Sequence, residues 1–285
     1  MEGRDVPIDN RKTGATDFGV VESLDLRGLT WSHGAGSVAS DGTFLKATNE
    51  DKSIYYKMSA YNASQGVYGH EAVNELIAYR VASELGVPVP GTRLAYALVH
   101  VDGVEFHTHV AVSESYKSPD DTRTSYEDFY TAKRETGESA LSVALRYGWA
   151  ERVYQMFLFD FLIFCRDRHG ANLEVLDCHG VRRLSPLFDN GLSLTCSCAT
   201  DEELAAFDVM ADRQVNNFIG TRSLYQNLEL IRNPVQVTAL SAEARGRVFS
   251  GLDSLLSDTR LDAIWSLLWG RWAYAKKFCD LRPLP

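Results

Sequence analysis

An aspartate, an asparagine five positions on and a second aspartate seventeen further, with a strand–turn–strand between, tie distant points of this 285-residue chain to one place. The first stretch reads Phe164-Cys165-Arg166-Asp167-Arg168-His169-Gly170-Ala171-Asn172, the second Phe188-Asp189-Asn190-Gly191. Between them, 173–177 and 181–184 read as two strands around the turn Cys178-His179-Gly180. A hairpin folds its ends together, so Asn172 and Asp189 are expected at one end of an antiparallel pair, within reach of a shared cation. Either motif alone reads as an ordinary polar loop. In order, with a strand pair between them, they read as a site.

The residue types suit phosphoryl transfer. That chemistry needs hard oxygen donors for Mg²⁺ and a carboxylate to take or orient the acceptor's proton. Asp167 is the candidate base; Asn172 and Asp189 are the candidate metal ligands, at the spacing by which protein-kinase folds seat them. The preceding helix, 150–164, is almost wholly apolar and is expected to run through the core and hold the loop rigidly.

Upstream, 53–59 reads as a strand with Tyr55 and Lys57 on one face and Ile54, Tyr56 and Met58 on the other. In a kinase fold the lysine that contacts the α- and β-phosphates sits on such a strand, paired with a glutamate of the next helix. The helix predicted over 69–85 has the apolar stripe Ala72, Val73, Leu76, Val81 and Leu85, and stops at Gly86 and Pro88. Glu71 and Glu75 lie one turn apart on it, and spacing alone does not choose between them. The small-residue loop 32–43 offers Gly42 and Thr43 to lie against phosphates, because missing side chains let backbone N–H groups approach.

Strands over 93–100 and 105–112, around Val101-Asp102-Gly103, read as a hairpin. Strand patterns then give way to helical ones, which makes Ser113-Glu114-Ser115-Tyr116 the expected hinge, with Ser113, Glu114 and Ser115 beside the nucleotide. The domains predicted are a poorly ordered 1–15, a β-rich N-lobe over 16–115 and a C-lobe over 116–285. Helices are predicted there over 126–133, 139–147, 150–164, 201–210, 242–256 and 261–278. The fold class predicted is a bilobal α+β protein-kinase-like fold with a mainly helical C-lobe. Trp265, Trp269 and Trp272 read as a core stripe, and His100, His107 and His109 as solvent-facing strand residues. Five cysteines without a Cys-x-x-Cys pair suggest reduced thiols.

A net charge of −9 argues against binding nucleic acid through a global positive field. The most apolar run, 156–165, is too short to span a membrane and contains Asp160. The polar amino terminus lacks the apolar core of a secretion signal. A cytoplasmic location is expected.

Tyr55-Tyr56-Lys57-Met58-Ser59, His70-Glu71-Ala72-Val73-Asn74-Glu75-Leu76, Asp167 to Asn172 and Leu187-Phe188-Asp189 resemble the HipA-type serine/threonine kinases of bacteria, which share a distant fold relationship with phosphatidylinositol 3/4-kinases. The resemblance covers about residues 40 to 270. It implies ATP and Mg²⁺ as cofactors and a protein serine or threonine as acceptor, and it selects Glu75 over Glu71 as the partner of Lys57. It also implies autophosphorylation in the phosphate loop, at Ser37, Ser40 or Thr43. The longer toxins meet a DNA-binding antitoxin through an amino-terminal subdomain that this chain largely lacks, so a shorter stand-alone relative is the expected model. An antitoxin-like partner stays an open expectation. The rivals are a lipid or small-molecule kinase or adenylyl transferase on the same fold, and a silent pseudokinase acting as a regulatory module.

Overall fold

The computed structural model describes residues 23–33 and 43–282. The expectations about 1–15, and about Ser37, Ser40 and Gly42 of the small-residue loop, lie outside the described residues. Strands β1 (Ser23–Asp25), β2 (Ser32–His33), β3 (Thr43–Thr48), β4 (Ile54–Asn62) and β5 (Gly66–Val67) precede helix α1 (Glu71–Leu85). The hairpin β6 (Thr92–Val101) and β7 (Val104–Glu114) follows. Its turn residues Asp102 and Gly103 both have positive φ, the two-residue turn whose twist matches the flanking strands.

These strands form one seven-stranded sheet in the order β1-β6-β7-β4-β3-β2, with β5 on β4, so Lys57 stands on an interior strand and not at an edge. The alternation expected of 53–59 holds. Tyr56 and Met58 join Leu45, Val110 and Val112 in a small core on one face of the sheet. Lys57, opposite Ala111, shares the other face with α1. That helix is buried nearly all round: beyond the expected stripe, Asn74, Glu75, Ile77, Arg80 and Ala82 are also buried.

The rest of the chain comprises β8 (Thr122–Ser125), α2 (Tyr126–Lys133), α3 (Ala140–Arg146), α4 (Ala150–Ile163), β9 (Asp167–Arg168), β10 (Glu174–Cys178) and β11 (Val181–Leu184). After these come α5 (Asp201–Ala205), β12 (Asn216–Asn217), α6 (Leu224–Glu229), β13 (Val235–Thr238), α7 (Ala244–Val248), α8 (Asp258–Ala275) and β14 (Cys279–Arg282). Helix α4 is the core element expected, with its residues from Met156 to Ile163 all buried. Fully burying one such Leu or Phe contributes about 1.5–3 kcal/mol.

Two helices are shorter than predicted. The helix expected over 201–210 ends at Ala205, and the chain beyond it presents the carbonyls of Val209 (2.7 Å) and Ala211 (2.8 Å) to the Arg271 guanidinium. The helix expected over 242–256 is confined to Ala244–Val248, where Arg80 of α1 takes the carbonyls of Val248 and Ser250, each at 2.9 Å. Gly251 at φ +70 then turns the chain away. Beyond the expected pair of β10 and β11, the remainder also holds β8 alongside β10 and the two-stranded sheets β12-β9 and β13-β14, which local pattern does not announce. Of the tryptophan stripe, Trp272 is core, but Trp269 is 39% exposed and stacks on half-buried Trp265. His107 stacks on the exposed ring of Tyr96, and His109 meets the same ring at a tilt. The five cysteines are free thiols. Among the described residues no helix is long and apolar enough to cross a membrane.

Candidate active site

The start of α1 is pinned to the end of β4 by two hydrogen bonds. Ala72 N–H donates to Ser59 Oγ (3.1 Å), and Ala60 N–H donates to Glu71 Oε2 (3.1 Å). Glu71 is thereby occupied with the backbone of β4, and burial pushes its carboxyl up. Glu75, one turn on, meets the lysine: Lys57 Nζ lies 2.5 Å from Glu75 Oε1 and 3.0 Å from Asp189 Oδ1. Burial opposes the charge on Lys57, but the carboxylates of Asp189 and Glu75 outweigh it and raise its pKa. Glu75 over Glu71 is therefore the geometry observed, and α1 reaches it because its first turn is already bound elsewhere.

Asp189 sits in the left-handed region at φ +60, which Asp and Asn tolerate better than most residues. Burial disfavours its charge, yet Lys57 and then Lys46 hold its carboxyl far below the usual range. Lys46 of β3, whose Nζ lies 2.8 Å from Asp189 Oδ2, has no role assigned from sequence. The signal that finds it is strand register, which sets Lys46 directly opposite Lys57. Past Asp189, the Asn190 N–H donates to Glu75 Oε1 at 3.1 Å. Gly191 passes so close to α1 that a Cβ there would lie 3.2 Å from the Glu71 carbonyl oxygen.

Arg168, 1% exposed, joins the two motifs. It donates to both oxygens of Asp160 on α4 (2.8–3.2 Å), to the Phe188 carbonyl (2.6 Å) and to Asn190 Oδ1 (2.8 Å). Burial works against its charge and Asp160 more than restores it. Sequence reasoning quoted Arg168 without a function; what marks it is an arginine eight residues beyond an aspartate in an apolar helix. Gly170 is required here, since a Cβ would come 2.6 Å from Glu127 Cβ.

Asp167 remains accessible, its side chain 25% exposed. Asn216 Nδ2 donates to its Oδ1 (3.1 Å), and His169 Nε2 lies 3.8 Å from its Oδ2. Asn216 reaches it because β12 pairs in parallel with β9, a long-range pairing that no local pattern announces. Asn172, buried, spends its Nδ2 on the Asp167 carbonyl (3.0 Å), leaving its amide oxygen as the acceptor. The expected hairpin is present, with Val175 opposite Leu184 and Cys178 opposite Val181.

The remaining sequence candidates lie on β3, on β7 and just past β7. Thr43 opens β3 opposite Tyr61. Ser113 is paired within the sheet to Tyr55 and Thr92, Glu114 is exposed, and the Ser115 N–H is already given to the Ser53 carbonyl (2.8 Å). Next to them Tyr116 stacks on Phe188 and donates to Glu174 Oε2 (2.6 Å).

Asp189 and Asn172 carry oxygen donors of the kind that Mg²⁺ takes, and two such donors would leave its remaining positions to water and phosphate. Among the described residues no group of three or more His, Cys, Asp or Glu forms a closed cage.

His70, just before α1, is pushed down to about 4 by burial and then by Arg260, so it is neutral at pH 7. The unfolded chain takes up this proton near pH 6.5 and the folded chain only below that, so stability is lost as pH falls through this window. With its partial exposure allowed for, the loss is about 1–2 kcal/mol. Urea unfolding of His70→Gln beside the parent at pH 7 and 4.5 is expected to show a shallower loss in the variant; equal losses would exclude His70 as the source.

No family model and no curated protein matches the chain. Among solved structures it is similar to the Helicobacter pylori proinflammatory kinase CtkA, at 14% identity, 90% coverage of this chain and 98% of that one, with a TM-score of 0.54. The similarity is one of fold, and it makes this an α+β kinase-like architecture. A second match is the Shewanella oneidensis MR-1 toxin–antitoxin system HipA, HipB and operator DNA complex, at 16% identity and a TM-score of 0.41. It covers 88% of this chain, which spans 60% of that one.

Proposed function

We propose that the protein is a kinase that transfers the γ-phosphate of Mg·ATP to a serine or threonine hydroxyl of a protein. The observation that carries this reading is the joining of Lys57, Glu75 and Asp189 in one ion cluster, clamped through Arg168 to the loop that carries Asp167 and Asn172. A binding module has no need of an accessible carboxylate held beside such a cluster.

In this reading Lys57, oriented by Glu75, contacts the α- and β-phosphates, and Asn172 and Asp189 hold the metal. A magnesium ion there would screen the phosphate charge. Asp167, with Oδ1 held by Asn216, keeps Oδ2 for the acceptor's hydroxyl proton and orients that oxygen for attack. The loop over 37–43 is the proposed autophosphorylation segment.

The test is incubation with γ-labelled ATP and Mg²⁺, alone and with bacterial lysate, beside Lys57→Met. Label on the protein or on a discrete lysate band, absent in the variant, is the expected result. Label from α-labelled ATP but not from γ-labelled ATP would replace the reading with adenylyl transfer. Nucleotide binding with neither label would leave a pseudokinase.

A further inference from the structure

Lys46 and Lys57 face each other across β3 and β4. The pairing depends on a register shift between Phe44 and Lys46; continuing the register of Thr43 with Tyr61 and Phe44 with Ala60 would put Met58 there instead. Like charges directly opposite one another weaken a sheet unless an anion lies between them. Asp189 is that anion, with Oδ2 at 2.8 Å from Lys46 and Oδ1 at 3.0 Å from Lys57.

The two lysines are not equivalent. Lys57 also holds Glu75 at 2.5 Å, whereas among the described residues Asp189 is the one ion-pair partner of Lys46. Lys46 is also the more open of the two, its side chain 35% exposed against 20%. Two ammonium groups against two carboxylates make the cluster neutral as it stands.

That balance is disturbed by the kinase reaction, on whose assignment this inference rests. A cation bound by Asp189 needs a carboxylate oxygen now taken by a lysine. If Lys57 yields, it keeps Glu75; if Lys46 yields, it is left without an anion beside a divalent charge, and the anions that arrive with the metal are phosphates. We propose that Lys46 is a second phosphate-binding lysine, which exchanges the Asp189 carboxylate for a nucleotide phosphate oxygen when the metal takes Asp189. Metal and nucleotide then bind tightly only together, and the empty site keeps Asp189 capped.

Calorimetric titration tests this without relying on turnover. The probes are MgCl₂ alone, a non-hydrolysable ATP analogue alone, and both together, on the parent, Lys46→Met and Lys46→Gln, with thermal unfolding as the fold control. Losing one charge-assisted hydrogen bond should weaken binding of the Mg-loaded analogue roughly 10- to 100-fold. Mg²⁺ alone should bind the variants several-fold more tightly, since Asp189 has lost a competitor. The gain that metal and analogue confer on each other should shrink by one common factor, as linkage requires. Unchanged analogue affinity in both variants overturns the inference. Weaker analogue binding without tighter metal binding overturns the exchange. A parent protein that binds no Mg-loaded analogue overturns the proposed kinase function itself, so the two failures are told apart.

Discussion

Asp167→Asn is expected to fold like the parent and to lose phosphoryl transfer roughly 100- to 10,000-fold, the range set by removing a positioned general base. The replacement is nearly isosteric. Asn216 can still donate to the amide oxygen at position 167, and the Asp167 main-chain carbonyl that Asn172 holds is untouched. No ion pair links Asp167 to Lys57, Glu75 or Asp189 among the described residues, so nucleotide binding should survive the change. The expected pattern is a collapse in kcat with a KM for ATP near that of the parent, the signature of an interaction made in the transition state. A variant within about tenfold of the parent would fall below the range a general base supplies and would remove Asp167 from that role.

Arg168→Leu is expected to destabilise the fold by about 3–5 kcal/mol, the cost of leaving a buried charge without its partner. Asp160 is 1% exposed and loses the ion pair that accompanies its burial. The Phe188 carbonyl and Asn190 Oδ1 lose donors at the same time. Asp160→Leu combined with Arg168→Leu removes both charges and should recover part of the loss, since a buried pair replaced by apolar groups is often near neutral. Recovery should stay partial, because those two acceptors of the Asp189 loop remain unpaired. Urea unfolding of the parent, both single variants and the double variant measures the coupling. A single variant within about 1 kcal/mol of the parent would contradict the cost expected of an uncompensated buried charge. If the double variant folds but transfers no phosphate, Arg168 is a positioning residue as well as a structural one.

The acidic side of the ion cluster follows from its pKa shifts. The Asp189 carboxyl is held low, so its contribution is present above the ordinary aspartate range and is lost only as pH falls through the depressed folded value. Lys57, raised, contributes fully below the ordinary lysine range and loses that contribution as pH rises through its folded value. Between those limits the cluster keeps its charge, so the loss of stability just below pH 6.5 points to groups such as His70.

Much of this protein is determined within short windows of sequence, where local chemistry suffices. The alternation over Ile54–Met58 sends Lys57 to one face of a strand and Tyr56 to the other. The Asp102-Gly103 pair closes its hairpin, and the apolar run of α4 is core along its length. The strand pair after Asn172 has the predicted turn. The choice of Glu75 was legible only through family resemblance, because Glu71 has the same chemistry one turn away. What separates them is the Ala60 N–H on a neighbouring strand, which engages Glu71.

What only the tertiary structure decided are contacts made across long stretches of chain. Lys46 enters the site through strand register, Asn216 through a two-residue parallel pairing, and Arg168 because α4 presents Asp160 beneath it. The helices after Asp201 and Ala242 are shorter than their local pattern suggests, and carbonyls at or beyond their ends accept from Arg271 and Arg80, whose guanidinium groups arrive from other elements. Hydrophobic period and turn chemistry act between neighbours in sequence and can be read there. A buried charge answers to whichever partner the fold brings within hydrogen-bond reach, and that distance exists only once the chain has folded.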